Sequence, residues 1–528
     1  MDTPPLIDSQ NIVSFLSRRE PYSEQTAGVE LIETHISWVF LTDAYAYKLK
    51  KPVRFEFLDF STPQLRREAC EDELRLNRRL AADIYLEVVP ITADGNGKLS
   101  LDGAGAPVDW VVKMRRLKSD RGLDRLIATG SVPGDNVERL AALLTEFFTR
   151  ATKVAIEPGE YCAAITRHVQ ANATDLADFD NRADDGPVER VCAAHLRFLR
   201  LRSAMLASRV DQGRVIEGHG DLRPEHVYFE GDQPVVIDCV EFSRDLRTVD
   251  VADELSFLAM ECERLGNEAV GRQLIESYQR RSGDLIPTAL LCFYKSYRAC
   301  VRAKVTALRG RQLPPAQQAA NCELLGDYLT LADQNARRMM PPLLLVIRGL
   351  MGSGKSTMAQ SLATTLGLTM LSTDEIRRGQ HGAPTEPPEY GEGIYDAKQR
   401  RRVYDSLFAS SQALLKAGTS VVLDGTFLTD ELRRIAVNAA RSAGALALIV
   451  TCRCPADMAK SRIAARQSIG DSLSDARAEL LSAQQAEDEP MSADLPHFGL
   501  DVTGDVVTQA DWIVDRLAAE LAAHGGES

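Results

Sequence analysis

A chain of 528 residues, 45% hydrophobic and 26% charged, is soluble-protein material and too long for one core; at ~100–200 residues per domain it suggests about three units. A formal net charge of −13 excludes a general binder of nucleic acid or of anionic membrane, because the phosphate-neutralising attraction would have the wrong sign. The ten cysteines lack zinc or CxxC spacing and read as reduced, buried thiols.

The opening MDTPPLIDSQ has neither the basic start nor the apolar stretch of a signal peptide. No uncharged run approaches the ~18 residues that cross a bilayer. A soluble, cytoplasmic protein with no membrane partner is expected, and nothing points to an oligomeric state.

The first elements are strands. Ser37–Leu41 and Tyr45–Leu49 alternate across a Thr42-Asp43-Ala44 turn, and Asp109–Leu117 is a third. From Asp135 the apolar spacing turns helical, with Leu140, Leu143, Leu144, Phe147 and Phe148 on one stripe, and Val188–Arg209 behaves alike. A strand-rich lobe over residues 25–120 thus precedes a helical lobe over 121–310. Residues 218–242 read GHGDLRPEHVYFEGDQPVVIDCVEF, placing Asp221 in a loop and Asp238 at a strand end. One carboxylate taking a proton and another holding Mg²⁺ is the pairing phosphoryl transfer uses.

That stretch resembles the aminoglycoside-phosphotransferase family, distant relatives of protein kinases, whose pattern is H-G-D-x-x-x-x-N followed by I-D. The resemblance implies that Asp221 is the catalytic base and Asp238 a metal ligand. It makes Lys48 the strand lysine on the nucleotide's phosphates and Glu73 its helical partner, with Lys50 or Lys51, and Glu71, as competitors. Val111–Leu117 would face the adenine. Two departures stand out. No G-x-G-x-x-G loop precedes Lys48, and the family's metal-ligating Asn is His226, either a ligand or a hydrogen-bonded structural histidine.

Further on, Lys295, Arg298 and Arg302 fall at helical spacing, read as a solvated basic face in preference to a stripe for an anionic acceptor. A polar helical stretch then runs to Met340, and Pro341-Pro342 stops it. The seam divides the chain into residues 1–330, a linker over 331–342, and residues 343–528.

After the seam, LLLVIR is a buried-strand run, followed without a gap by Gly349-Leu350-Met351-Gly352-Ser353-Gly354-Lys355-Ser356, a G-x-x-x-x-G-K-[ST] phosphate loop. Its glycines let backbone N–H groups turn towards phosphates, and the helix opening at Thr357 adds positive partial charge. Lys355 would reach the β- and γ-phosphates of ATP and Ser356 would ligate Mg²⁺. A chance glycine-rich turn is the plain alternative. TSVVL leads to Asp424, a second Mg²⁺ ligand or merely an Asp-Gly turn. Asp374 in LSTDEIRR is expected to end a strand and to orient or deprotonate an acceptor hydroxyl while Arg377 holds its anionic part; the plain reading is a helix cap. Arg462 and Arg466, a turn apart on a helix starting near Pro455, are either lid arginines over the phosphoryl group or a solvated face.

GLMGSGKS, LSTDEIRR, VVLDGTF and CRCPADMAKSRIAAR together resemble the predicted-kinase branch of P-loop small-molecule kinases. That group is similar to gluconate kinases and polynucleotide-kinase phosphoryl-transfer domains. Nearly the whole chain resembles bifunctional aminoglycoside-phosphotransferase-like/ATP-binding proteins. The fold implied is an α+β, two-lobed kinase-like domain fused to an α/β P-loop NTPase domain with a parallel sheet. The implied function is Mg-ATP-dependent phosphorylation of a small hydroxyl-bearing molecule. A nucleotide-dependent regulator with a catalytically quiet kinase-like scaffold is the rival. RNA or DNA end phosphorylation is disfavoured by the acidic charge.

Overall fold

The computed structural model describes residues 8–55, 58–177, 187–311, 313–381, 396–469 and 480–524. They form two compact units, each made of two separated stretches of chain: Met1–Pro158 with Ala207–Ala299, and Gly159–Leu206 with Cys300–Ser528.

The first unit is built on an antiparallel sheet. Its strands are β1 (Glu30–Glu33), β2 (Ser37–Leu41), β3 (Tyr45–Lys50), β4 (Tyr85–Ala93), β5 (Leu99–Leu101) and β6 (Ala106–Arg115), in the order β1-β2-β3-β6-β4-β5. Side chains alternate across a strand. On β3, Tyr47 and Leu49 therefore enter a core with Phe40, Ile91 and Val111. Ala46 joins Cys70, Tyr85 and Val112 on the opposite face. That face carries α1 (Pro63–Asn77), started by Pro63 at its first turn and by the Thr62 hydroxyl, which accepts the Leu65 N–H. The register puts Lys48 and Lys50 on the α1 side.

Helices follow: α2 (Gly134–Arg150), α3 (Val251–Arg264) and α4 (Thr288–Gly310). The expected solvated face on α4 is corrected here. Arg298 is buried on Asp253, at 2.6 Å, and over the Phe257 ring; Lys295 pairs with Glu263 at 3.1 Å; Arg302 lies over Tyr328. Helical spacing showed a stripe but not the carboxylates that meet it.

The second unit centres on a parallel sheet. The linker expected over 331–342 is largely the end of α5 (Pro315–Met339). Strands β7 (Leu343–Arg348), β8 (Thr369–Ser372), β9 (Val421–Asp424), β10 (Leu446–Arg453) and β11 (His497–Asp501) lie in the order β8-β9-β7-β10-β11. Every residue of β7 is buried, as a central parallel strand requires. Helices α6 (Lys355–Leu366), α7 (Thr373–His381), α8 (Ala397–Lys416), α9 (Asp430–Ser442), α10 (Ala456–Ile469), α11 (Leu480–Glu487) and α12 (Val506–His524) complete it. Helix Pro187–Leu201 packs here too. Its Arg197 donates to the Leu366 and Gly367 carbonyls at 3.3 Å, satisfying the end of α6. This is why Gly159–Leu206 joins the second unit, although it precedes the expected seam. None of the ten cysteines is in a disulfide, and Cys322 is exposed where burial was expected.

Candidate functional site

The phosphate loop joins β7 to α6, with Lys355 as the first helical residue. Its glycines are required by space as well as by conformation. Gly352 has φ +76°, and a Cβ there would stand 2.6 Å from the Ala459 carbonyl oxygen; at Gly354, φ +91°, it would stand 2.8 Å from Val502 Cγ1. Gly349, Ser353, Ser356 and Thr357 fall in the same continuous turn into the helix.

Asp424 ends β9 one strand away from β7, in register with Ile347. Burial pushes its carboxyl above the ordinary range, against the opposing pull of the Lys355 ammonium and the Ser356 hydroxyl. Oδ2 lies 3.4 Å from Ser372 Oγ, while Oδ1 is buried and has no hydrogen-bond partner among the described residues. An orphaned carboxylate oxygen beside a serine hydroxyl and an ammonium suits a hard divalent cation. The residues present fit Mg²⁺.

Asp374 lies in the first turn of α7 instead of ending a strand, since β8 stops at Ser372, whose hydroxyl accepts the Asp374 N–H at 3.2 Å. Its Oδ1 is 2.5 Å from Arg377 NH1. The two residues expected to act on an acceptor thus meet first as an ion pair, and Arg377 holds a carboxylate of this chain. Tyr404, whose hydroxyl accepts the Phe427 N–H at 3.0 Å and meets Thr426, closes that side. Arg462 is put to a use other than a lid. Its guanidinium reaches the Val502 carbonyl at 2.9 Å and that of Ser353 at 3.4 Å, bracing the loop from behind. Arg466 is on α10, but its side chain lies outside the described residues.

In the first unit the predicted residues converge. Lys48 Nζ donates to Glu73 Oε1 at 2.8 Å and to Asp238 Oδ1 at 2.7 Å. Lys50 Nζ takes the other Glu73 oxygen at 2.7 Å and also Glu241. Lys51 pairs on the surface with Glu33, and Glu71 with Arg67, which removes both from the competition. Burial opposes charge on Asp238, yet Lys48 holds its carboxyl well below the usual range. Asp238 has φ +64°, a conformation costly for a non-glycine residue and common at functional sites.

His226 Nδ1 donates to the Asp221 carbonyl at 2.8 Å, leaving Nε2 as an acceptor 3.5 Å from Asp238 Oδ2 and 3.3 Å from Arg223 NH2. The ring is oriented as a metal ligand would be, though among the described residues no group of three or more His, Cys, Asp or Glu is placed to hold a metal. Nucleotide oxygens would have to complete any coordination. Asp221 is engaged by Arg223, whose Nε lies 2.9 Å from Oδ1.

The strand pairing also moves the missing cover. Lys48 lies near the end of β3 served by the β1–β2 turn, Thr34-His35-Ile36, where the Lys51 N–H donates to the Ile36 carbonyl at 2.8 Å. Thr42–Ala44 is at the other end. The nearer turn also lacks glycine.

Sequence reasoning missed Arg223, Glu241 and Glu254. Glu254, fully buried on α3, accepts the N–H groups of His219 at 3.0 Å and Gly220 at 2.7 Å, holding the loop just before Asp221. Only the period-2 alternation of β3, which sets Lys50 beside Lys48, carried any signal for this network.

The AAA domain family (AAA_33) matches residues 344–491. This P-loop domain accounts for the parallel sheet and the nucleotide-binding loop. Uncharacterized protein Rv2004c of Mycobacterium tuberculosis is 32% identical over 467 residues, spanning 87% of this chain and 90% of its own; uncharacterized protein Mb2027c of Mycobacterium bovis matches equally. Among solved structures, a putative kinase from Chloroflexus aurantiacus is 22% identical over 33% of this chain and 97% of its own, with TM-score 0.27. A choline/ethanolamine kinase family protein from Mesorhizobium loti is 12% identical over 62% and 99%, with TM-score 0.34. At these TM-scores the two are likenesses only. No described helix is long and apolar enough to cross a membrane.

Proposed function

Since this chain belongs to one family with the mycobacterial protein Rv2004c, we propose that its P-loop domain, residues 343–528, is an ATP-dependent phosphotransferase acting on the hydroxyl of a small molecule. The observation that carries this is the Asp424 carboxylate, buried with one oxygen unpartnered beside Ser356 and Lys355 at the mouth of a phosphate loop. Backbone amides of residues 352–357 cradle the phosphates, and Lys355 places its charge on the β- and γ-oxygens. Ser356 and Asp424 would hold Mg²⁺, which when bound neutralises phosphate charge. Asp374 orients the acceptor hydroxyl and takes its proton; this needs Arg377 to hold the carboxylate in place without protonating it, as a guanidinium does.

The first unit forms, on this reading, a kinase-like domain with a second ATP site. The Lys48–Glu73–Asp238 chain supports it, with Asp221 as base and Asp238 and His226 for a metal. One observation favours the rival, a regulator with a quiet scaffold: Arg223 occupies the Asp221 carboxylate.

The test is ATP consumption by the intact chain across sugars, sugar acids, nucleosides and aminoglycosides, beside Lys355→Ala and Asp221→Ala. Acceptor-dependent turnover lost in Lys355→Ala supports the proposal. No turnover with any acceptor, alongside intact ATP binding, supports the regulator.

A further inference from the structure

The phosphate loop is pinned at two points by a segment that no motif marks. At its crest the Met351 N–H donates to Gln484 Oε1 at 3.0 Å. The Met351 side chain is buried beside Ala459, Ile463 and Leu481, with Leu481 on the same α11 as Gln484. At its root the buried Arg348 guanidinium, last of β7, pairs with Asp488. Gln484 lies in the last turn of α11 and Asp488 is the first residue beyond the helix, so one short stretch of chain holds positions 351 and 348. Between them stands Gly349, at φ +150°, the joint about which the loop's peptides would otherwise turn.

The segment is itself tied down. Arg433, fully buried, donates to the Phe427 carbonyl at 2.9 Å, to that of Leu428, to Glu489 at 2.7 Å and to Pro490 at 2.8 Å. The same guanidinium thus joins the residues after Asp488 to the loop that follows Asp424. Phosphate loop and metal-side loop share one support.

We propose that Gln484 and Asp488 are positioning residues for the phosphate cradle, holding the Gly349–Gly352 peptides in the orientation in which the neighbouring amides converge on a nucleotide's phosphates. The inference rests on the nucleotide reading above. The residue types suit the task. A carboxamide supplies an acceptor for Met351 without bringing negative charge near phosphates, and the charge on Asp488 is neutralised by Arg348. Ordering the loop in advance removes a cost that binding would otherwise meet, so its loss appears in nucleotide affinity and in the geometry of transfer.

The experiment is calorimetric titration of the full chain with Mg-AMPPNP, in wild type, Gln484→Met, Asp488→Asn, both together, and Lys355→Ala, with melting temperatures alongside. We expect Gln484→Met to weaken binding about tenfold at an unchanged melting temperature, Asp488→Asn to weaken it by more than its lowered melting temperature accounts for, and the double variant to fall short of the product of the two, because both act on one joint. Asp488→Glu restores most of the affinity. Single variants whose P-loop affinity stays within about twofold of wild type, while Lys355→Ala removes one binding event from the titration, overturn the inference and leave the nucleotide reading standing. Affinity losses that merely follow lowered melting temperatures also overturn it, assigning the contacts to folding. A wild-type chain that binds no AMPPNP removes the nucleotide reading itself.

Discussion

Arg223 grips Asp221 with two nitrogens, Nε at 2.9 Å from Oδ1 and NH2 at 3.0 Å from Oδ2, so the candidate base of the first unit is already an ion pair. Such a pair fixes the carboxylate in direction, and it competes with any acceptor proton. If the site is catalytic, Asp221→Asn lowers acceptor-dependent ATP turnover in a Lys355→Ala background by ~10²-fold or more, while ATP affinity changes little. Steady-state turnover beside equilibrium binding measures both. Equal turnover in the two chains assigns the first unit to the quiet scaffold.

Asp424→Asn is expected to remove the Mg²⁺ dependence of nucleotide binding by the P-loop domain. The substitution keeps shape and replaces one charged acceptor by a neutral amide, so ADP affinity with and without Mg²⁺ should become nearly equal. Calorimetry in magnesium and in chelator is the measurement. A wild-type dependence retained in the variant places the cation elsewhere.

The buried Arg298–Asp253 pair predicts an asymmetric response to mutation. Arg298→Met leaves Asp253 uncompensated, 2% exposed, at a cost of about 3–5 kcal/mol to the first unit. The double change Arg298→Met with Asp253→Leu should recover much of that loss. Denaturant melts of the three chains decide it.

The pH dependence of the first unit combines two opposed groups. Burial pushes the Glu254 carboxyl up to about 7, so the folded state binds the extra proton between its ordinary value of 4.5 and 7, and stability falls as pH rises through that window. Burial pushes His219 down to about 4, so between 4 and 6.5 the unfolded state binds the extra proton and stability rises with pH. From about pH 4.5 to 6.5 the slopes oppose, and a nearly flat profile is expected from this pair. Glu254→Gln exposes the histidine slope, with stability dropping as pH falls below 6.5. Calorimetric scans across pH 4.5–7.5 test this; an equally flat variant profile is the contrary result.

The outcomes at individual residues separate what was legible from what was not. Lys48 was named from its setting but could not be told from Lys50 or Lys51: Lys51 turns instead to Glu33, and Lys50 shares the α1 face and Glu73, so only the contact with Asp238 singles out Lys48. Arg377 read as free to hold a substrate, and Arg462 as a lid; each found a partner within this chain. The basic stripe on α4 looked solvated because a sequence displays the cations of a helix face without the Asp253 and Glu263 carboxylates that cover them.

By itself the sequence determined the phosphate loop, the strand and helix on either side of it, and the positions of Asp424, Asp221 and Asp238. These depend on short-range rules: a few consecutive residues set the backbone conformation, and glycines are needed wherever it turns left-handed or other chain comes close. Tertiary structure alone decided the partners. Glu73 between two lysines, Arg223 on Asp221, and Gln484 on the Met351 peptide join residues through strand register and helix packing, and those contacts bring together parts of the chain that no local pattern connects.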